Sequence, residues 1–269
     1  MDPEMTYMLA YLGVGAVAGV LAGLLGIGGG LVIVPMLTFA FTSQGMAHEV
    51  ILHVALGTSL ASILFTSLSS MRSHHKRGAV IWPVVFRITP GILVGTFAGT
   101  WIAAMLSTNF LKGFFGVFLL YVATQMLMGI KPKPTRDIPG TGGMFAAGNV
   151  IGVFSSLVGI GGGTMSVPFL TWCNTKIHMA IGTSAAIGMP IAVAGAFGYV
   201  VNGLGTDGLP PMSLGFVDLR ALAGIVAASV FTASVGVRLA HSLPVDKLKR
   251  IFALLLYVVG TRMLISVFF

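Results

Sequence analysis

The chain has 269 residues, of which 56% are hydrophobic and 8% are charged. Soluble domains carry about 25% charged residues, so this composition, with a mean hydropathy of +0.98, excludes an ordinary soluble protein. Most of the bases behind the net charge of +8 lie in short loops, and this charge therefore does not indicate nucleic-acid binding.

Apolar segments recur along the whole chain, which predicts an all-α membrane protein with many crossings. The first half contains predicted spans at 7–25, 31–41, 50–70, 80–106 and 110–130. The second half contains predicted spans at 144–158, 164–172, 178–201, 217–242 and 251–269. The second span of each half is too short to cross alone. Each of these two either includes neighbouring glycines or enters the membrane as a re-entrant half-helix.

A glycine-rich run precedes the short second span of each half. The sequence GIGGG occupies residues 26–30 and, 133 residues later, residues 159–163, and a proline follows each run. Glycine inside a helix costs about 1 kcal/mol relative to alanine, so the runs predict helix breaks at membrane depth. Matched breaks in two halves are typical of a transporter's binding site.

These glycines are the first candidates for substrate binding. Backbone N–H groups and the positive end of the following helix would point into each break, and that arrangement attracts anions. The alternative is that the glycines only let helices pack closely. The predicted substrate-binding glycines are Gly28, Gly29 and Gly30 in the first run and Gly161, Gly162 and Gly163 in the second.

Further matches indicate that the halves are repeats. The segment from His53 to Ser59 matches the segment from His178 to Ser184, and each contains Gly-Thr-Ser. Arg87 matches Arg220 at an offset of 133 residues, and the last spans match at 137. The predicted organisation is a first transmembrane repeat at 7–130, a cytoplasmic linker at 131–143 and a second transmembrane repeat at 144–269.

The basic loops predict the orientation of the spans. Basic clusters occur at 72–77, 131–136 and 247–250 and should be cytoplasmic, whereas the connections at 107–109 and 202–213 lack bases and should be external. Five crossings in each half satisfy these constraints and leave both termini outside. Because five is odd, the halves would be inserted with opposite topology, as inverted repeats.

Arg87 and Arg220 each lie a few residues inside an apolar span. A guanidinium in lipid costs at least about 2.5–3.5 kcal/mol, so such residues usually face a cavity or a partner. The planar fork suits sulfonate, carboxylate or phosphate oxygens. The alternatives are a snorkelling arginine at the interface and, for Arg220, a structural pair with Asp218.

Polar residues in the matched helices complete the predicted site. His53 and His178 either donate to an anion, carry a coupled proton or lie at the interface. The neighbouring hydroxyls either line the cavity or bond back to their own helix. These hydroxyls belong to Thr58, Ser59, Thr183 and Ser184. No Cys/His spacing resembles a metal site, so neither a metal nor a cofactor is predicted.

Two copies of a GxGGG segment followed by proline, each with an AxGTS segment after it, resemble the TauE/SafE sulfite exporter family, also called the toluene sulfonate uptake permease family. The resemblance covers about residues 12–264. It implies a carrier of the bacterial inner membrane for sulfur-containing anions, such as sulfite, sulfoacetate, other organosulfonates or thiosulfate.

We therefore expect a secondary transporter that exports such an anion by alternating access, and not an enzyme. The chain has no GxxxxGK[ST] motif for ATP and no HExxH or GxSxG motif for hydrolysis. The expected partners are a small anion and the lipid bilayer, without nucleic acid, and a homo-oligomer is an open alternative. An anion channel, or a permease for a different small anion, is the alternative function.

The inverted topology is tested by labelling introduced cysteines from one side of the membrane. Cysteines at Ser73 and Thr135 should label only from the cytoplasm, and a cysteine at Thr206 only from outside, because basic loops stay inside. Labelling of Thr135 and Thr206 from the same side would require a parallel duplication instead.

Overall fold

The computed structural model describes residues 3–25, 29–129, 135–242 and 245–268. Within these residues the chain forms ten α-helices and one two-stranded sheet. The first half contains α1 (Pro3–Leu25), α2 (Gly30–Ser43), α3 (His48–His75), α4 (Trp82–Met105) and α5 (Thr108–Met128). The second half contains α6 (Thr141–Val158), α7 (Gly163–Trp172), α8 (Ile177–Gly203), α9 (Leu219–Ser242) and α10 (Val245–Phe268), with β1 (Ser213–Leu214) and β2 (Val217–Asp218) between α8 and α9.

Eight of the described helices are long and apolar enough to cross a membrane, which makes the chain a multi-pass membrane protein. The two shorter helices are α2, with 14 residues, and α7, with 10. They are about 21 Å and about 15 Å long, against a hydrocarbon core of about 30 Å. Neither is long enough to cross the hydrocarbon core alone, as the sequence indicated, so four long helices remain in each half of the described chain.

Helices α1 and α2 form an antiparallel hairpin. The Tyr11 hydroxyl in α1 accepts a 2.7 Å hydrogen bond from the side chain of Gln44, which directly follows α2. In the second half, the Trp172 indole at the end of α7 donates a 2.8 Å hydrogen bond to Thr135, which precedes α6. Each short helix thus returns toward the start of the helix before it. This geometry favours the re-entrant alternative.

Left-handed glycines shape the hairpin tips. Gly159 ends α6 with a φ of 67°, and Gly162 precedes α7 with a φ of 75°. Gly29 precedes α2 with a φ of 78°, which matches Gly162. Because side chains with a Cβ rarely adopt such angles, these positions require glycine. Residues 26–28, which include the predicted site residue Gly28, lie outside the described residues.

Contacts between the two halves come in matched pairs, since α1 packs against α9 in the way that α6 packs against α4. Glycines of α1 and α6 lie directly against the backbone of the partner helix, where a Cβ atom would collide with it. The matched contacts are Gly15 with Ile225, Gly148 with Ile88, Gly19 with Ser229 and Gly152 with Ile92. Small residues therefore set the spacing of these helices, as in other membrane bundles.

Helices α3 and α8 form the centre of the bundle and run antiparallel. Gly57 in α3 lies beside Tyr199 near the end of α8, whereas the Ser67 Cβ atom lies 3.5 Å from the Cβ position of Gly188, nearer its start. The α5–α10 pair also runs antiparallel. The apolar part of α3 has a larger share of buried residues than any other candidate span, so the remaining helices surround it.

Large apolar side chains cover the outside of the bundle. Met105, Phe231 and Val258 are among the most exposed of them. A soluble monomer rarely exposes extensive apolar surface, whereas lipid chains are a favourable environment for it. The exposed surface of the bundle therefore suits contact with the bilayer.

We expect Gly95→Ala to destabilise the α4–α6 contact, because the added Cβ would collide with the Asn149 backbone. Overpacking of this kind costs about 1–3 kcal/mol. Gly113→Ala is the matched control, since nothing lies within 4 Å of its Cβ position. The thermal unfolding midpoint in detergent should fall for the first variant and hold or rise for the second. Equal midpoints would contradict the packing described for α4 and α6.

Candidate functional site

The two hairpin tips meet between α3 and α8. Gly30, the first residue of α2, packs against the carbonyl of Gly159 in the opposite tip. The Ser59 hydroxyl of α3 donates a 2.8 Å hydrogen bond to the same carbonyl. A Cβ atom at Gly188, near the middle of α8, would lie 3.1 Å from the Gly161 carbonyl oxygen. The helices that follow the two tips therefore both begin deep inside the bundle.

Most of the predicted glycines are brought together at this point. All of those that the structure describes are buried: Gly29, Gly30, Gly161, Gly162 and Gly163. The Met165 and Ser166 amides both donate to the Gly162 carbonyl as α7 starts. The first N–H groups of a helix have no acceptor within the helix. Their partial positive charge, with that of the helix dipole, makes the start of α7 suitable for an anion.

Each Gly-Thr-Ser threonine binds the opposite half of the chain. The Thr58 hydroxyl in α3 accepts a 2.9 Å hydrogen bond from the N–H of Asp218, the residue before α9. The Thr183 hydroxyl in α8 accepts a 3.0 Å hydrogen bond from the N–H of Ile81, the residue before α4. Each hydrogen bond satisfies an amide just before a helix, where the N–H group has no acceptor within that helix.

The glycine before each of these threonines lets the segment before α9 or α4 approach closely enough to form the hydrogen bond. A Cβ atom at Gly57 would collide with the Phe216 carbonyl, and one at Gly182 with the Ala79 carbonyl. Both carbonyls lie two residues before the bonded amides. Residues 57–59 and 182–184, which we call the clamps, therefore hold the segments before α9 and α4.

The serines of the clamps contact the hairpins. Ser59 binds the Gly159 carbonyl, and the Ser184 hydroxyl lies 3.0 Å from that of Ser166 in α7. The four predicted hydroxyl residues are thus buried and joined to other helices, and their contact with substrate stays a prediction. They are Thr58, Ser59, Thr183 and Ser184.

The matched histidines lie in different surroundings. His53 is buried, with Nδ1 3.2 Å from the Glu49 carbonyl and Nε2 3.1 Å from the Ala103 carbonyl, so it links α3 to α4. His178 is exposed. Substrate contact by either one stays a prediction. In the described part of the chain, no three His, Cys, Asp or Glu side chains are grouped so as to hold a metal ion.

The two arginines do not occupy equivalent positions. The bonded amides of Ile81 and Asp218 are equivalent and lie 137 residues apart, so Arg87 corresponds to Gly224. The predicted match between Arg87 and Arg220 at 133 residues is therefore wrong. The α8–α9 connection contains the β1–β2 hairpin and is longer than the α3–α4 connection, which shifts the offset. Both arginines are exposed, near the starts of α4 and α9.

Asp218 begins α9 as its cap. Its Oδ1 atom accepts a 2.8 Å hydrogen bond from the Ala221 N–H, the arrangement typical of an aspartate before the first helical turn. Burial raises the pKa of the Asp218 carboxyl, while the Ala221 amide and the Arg220 charge oppose part of that rise. The Arg220 Nε atom donates to the Met212 sulfur at 3.1 Å.

Three hydroxyl residues near the second tip were absent from the predicted site. The Ser155 and Thr164 hydroxyl oxygens are buried and have no hydrogen-bond partner among the described residues, and Ser166 lies two residues further along α7. The residues 133 positions earlier are Ala22, Leu31 and Ile33. Comparing the two repeats position by position would have revealed these hydroxyls, because only the second repeat contains them.

The bundle of apolar helices and the buried hairpins at its centre are those of a multi-pass membrane protein. Residues 11–263 match the family model described as Sulfite exporter TauE/SafE. The chain therefore belongs to the TauE/SafE family, and it is a membrane transporter.

Relatives cover nearly the whole chain. A probable membrane transporter protein of Haemophilus influenzae is 39% identical over 263 residues, which is 97% of this chain and 99% of the relative. A probable membrane transporter protein of Methanocaldococcus jannaschii is 27% identical over 94% of this chain and 93% of its own. No solved structure matches the chain significantly.

We expect Thr58→Val to weaken the clamp on α9, because this swap of similar volume removes the acceptor of the Asp218 amide. An unsatisfied buried amide costs about 1–3 kcal/mol. The thermal unfolding midpoint should fall, and the peptide containing Asp218 should exchange hydrogen for deuterium faster. Thr58→Ser keeps the hydroxyl and should behave like the unmodified protein. If the valine and serine variants were indistinguishable in both measurements, the clamp would have no role in stability.

Proposed function

We propose that this transporter exports a sulfur-containing anion, such as sulfite, sulfoacetate or another organosulfonate, across the bacterial inner membrane by alternating access. The family name supports sulfite as the first substrate to test. The proposed partners are the anion and the surrounding lipid bilayer. Nucleic acid has no proposed role, and the proposal holds for a monomer and for a homo-oligomer alike.

The observation that carries this proposal is the meeting of two glycine hairpins at the centre of the bundle. Gly30 packs directly on the opposite tip, and both α2 and α7 begin there. Helix N-termini bind anions through their free N–H groups and their dipole. Half-helices that end near the membrane midplane are the sites at which many secondary transporters bind anionic groups.

Inverted repeats give this central site a route to either side of the membrane. In our proposal each half contributes one hairpin and three crossing helices, an odd number, so the halves have opposite topology. The antiparallel packing of α3 with α8, and of α5 with α10, supports this proposal, because these helices occupy equivalent places in the two halves. The two repeats would then rock around the tips.

The membrane potential favours export of an anion. At an inside-negative potential of about 100 mV, moving one negative charge outward gains about 2.3 kcal/mol. We place the exposed Arg87 near the cytoplasmic end of the bundle and the exposed Arg220 near the external end. At those positions they raise the local anion concentration rather than hold the anion at the centre.

Counterflow in proteoliposomes tests this proposal. Vesicles loaded with unlabelled sulfite should transiently accumulate ³⁵S-sulfite, because a carrier exchanges its substrate across the membrane. Gly162→Val should abolish counterflow, since Gly162 has a φ of 75° and a Cβ atom there would collide with Ile191. Gly13→Val is the control and should retain it, because nothing lies within 4 Å of that Cβ position.

Other outcomes would overturn the proposal in defined ways. Saturable flux without counterflow would contradict alternating access, because a carrier exchanges its substrate. Linear flux without counterflow would identify an anion channel. No flux of sulfite, sulfoacetate, taurine or thiosulfate above that of empty vesicles would contradict the assignment of a sulfur-containing anion. Full counterflow by Gly162→Val would remove the second tip from the site.

A further inference from the structure

The residues that precede α2 and α7 share one backbone conformation, but the side chains around them differ. Gly29 and Gly162 have φ angles of 78° and 75° at matching positions. Around the second tip the structure places hydroxyls where the first tip has apolar groups. The matched pairs are Ala22 with Ser155, Leu31 with Thr164 and Ile33 with Ser166. The starts of α2 and α7 therefore match in backbone conformation at Gly29 and Gly162 but differ in the chemistry of the nearby side chains.

Two of these hydroxyls are buried without a partner beside the start of α7. Ser155 is fully buried, and its Oγ atom lies 3.4 Å from the Cβ position of Gly162. Thr164 is the second residue of α7, and its Oγ1 atom is also buried. Neither oxygen has a hydrogen-bond partner among the described residues. A buried hydroxyl left unpaired costs about 1–3 kcal/mol, so a ligand that pairs both would recover that free energy.

The backbone at the same place also offers donors. The Met165 and Ser166 amides donate to the Gly162 carbonyl, while the amides of Gly163 and Thr164 have no acceptor within α7. The positive end of the α7 dipole adds to their attraction for an anion. Together with the hydroxyls of Ser155 and Thr164, these amides place four neutral donors in or beside the first turn of one helix.

A third hydroxyl holds this arrangement in place. The Ser166 Oγ atom lies 3.0 Å from the Gly162 carbonyl oxygen and 3.0 Å from the Ser184 hydroxyl oxygen. Ser166 thus joins the first turn of α7 to the clamp in α8. Because Ser166 contacts the backbone and the clamp, we regard it as a positioning residue and not as a donor to the anion.

Ile191 of α8 covers this site. Its Cδ1 atom packs so closely over Gly162 that a Cβ atom there would collide with it. The Ile191 side chain must therefore move, by a change of its rotamer or together with α8, before an anion can reach the start of α7. A site that is covered and then uncovered in this way is suited to alternating access.

We propose that the anion is bound at the start of α7 alone, by the hydroxyls of Ser155 and Thr164 and the amides of Gly163 and Thr164. This inference rests on the proposed function and assigns its binding groups. The first tip, with Ala22 and Leu31 at the matching positions, packs against the second tip and shapes the site without binding the anion. Neutral donors suit a small oxyanion, whose oxygen atoms each accept more than one hydrogen bond.

Equilibrium binding of ³⁵S-sulfite to the full chain in nanodiscs tests this assignment. Ser155→Ala and Thr164→Val should each weaken binding by roughly 10- to 100-fold, the effect of losing a hydrogen bond to a charged group. Thr164→Ser keeps the hydroxyl and should restore binding. Ser229→Ala is the matched control, because Ser229 is also fully buried and its hydroxyl also lacks a partner among the described residues.

The outcomes separate this inference from the proposed function. If the unmodified chain binds sulfite and both Ser155→Ala and Thr164→Val bind it equally well, the site assignment is wrong and the proposed function stands. If the unmodified chain binds none of sulfite, sulfoacetate, taurine and thiosulfate, the proposed function itself fails. Equal losses in Thr164→Val and Thr164→Ser would show a packing effect and would also overturn the assignment. If Ser155→Ala does not fold, the comparison of Thr164→Ser with Thr164→Val still tests the assignment.

Discussion

The structure depends on one constraint, which is that backbone groups at the centre of a membrane protein need hydrogen-bond partners. Helices α2 and α7 begin at buried glycines inside the bundle, and each free amide or carbonyl there costs several kcal/mol. The clamps provide partners from the opposite half: Ser59 binds the Gly159 carbonyl, and Thr58 and Thr183 bind the amides before α9 and α4. Each half therefore completes the hydrogen bonding of the other.

This mutual arrangement explains how non-helical backbone can be held inside the bundle of a transporter. The glycines give the tips the left-handed angles that they need, and the antiparallel α3 and α8 hold the tips between them. The contacts between the halves leave the hydroxyls of Ser155 and Thr164 without partners beside the start of α7. In our proposal, the chemical difference between the tips lets a repeated fold bind one anion at the start of one helix.

The sequence predicted the helices well and the contacts between them poorly. The ten segments and the breaks near Gly30 and Gly163 follow from hydropathy and glycine content, which are local properties. The hairpins were left open, because a short helix can continue or turn back with the same composition. The Arg87–Arg220 match was wrong because the β1–β2 hairpin changes the offset. The clamp role of Thr58 arises from contacts between halves, which no single segment encodes.

Cross-linking of α3 to α8 tests the central claim, that equivalent helices meet antiparallel around the two tips. The Cβ positions of Ser67 and Gly188 are 3.5 Å apart, within the range of a disulfide, and Leu60 contacts Gly195. In a chain whose native cysteine is replaced by alanine, Ser67→Cys with Gly188→Cys and Leu60→Cys with Gly195→Cys should both cross-link. Leu60→Cys with Ala185→Cys should not. Cross-linking of Leu60→Cys to Ala185→Cys in place of Gly195→Cys would show that α3 and α8 run parallel and would contradict this account.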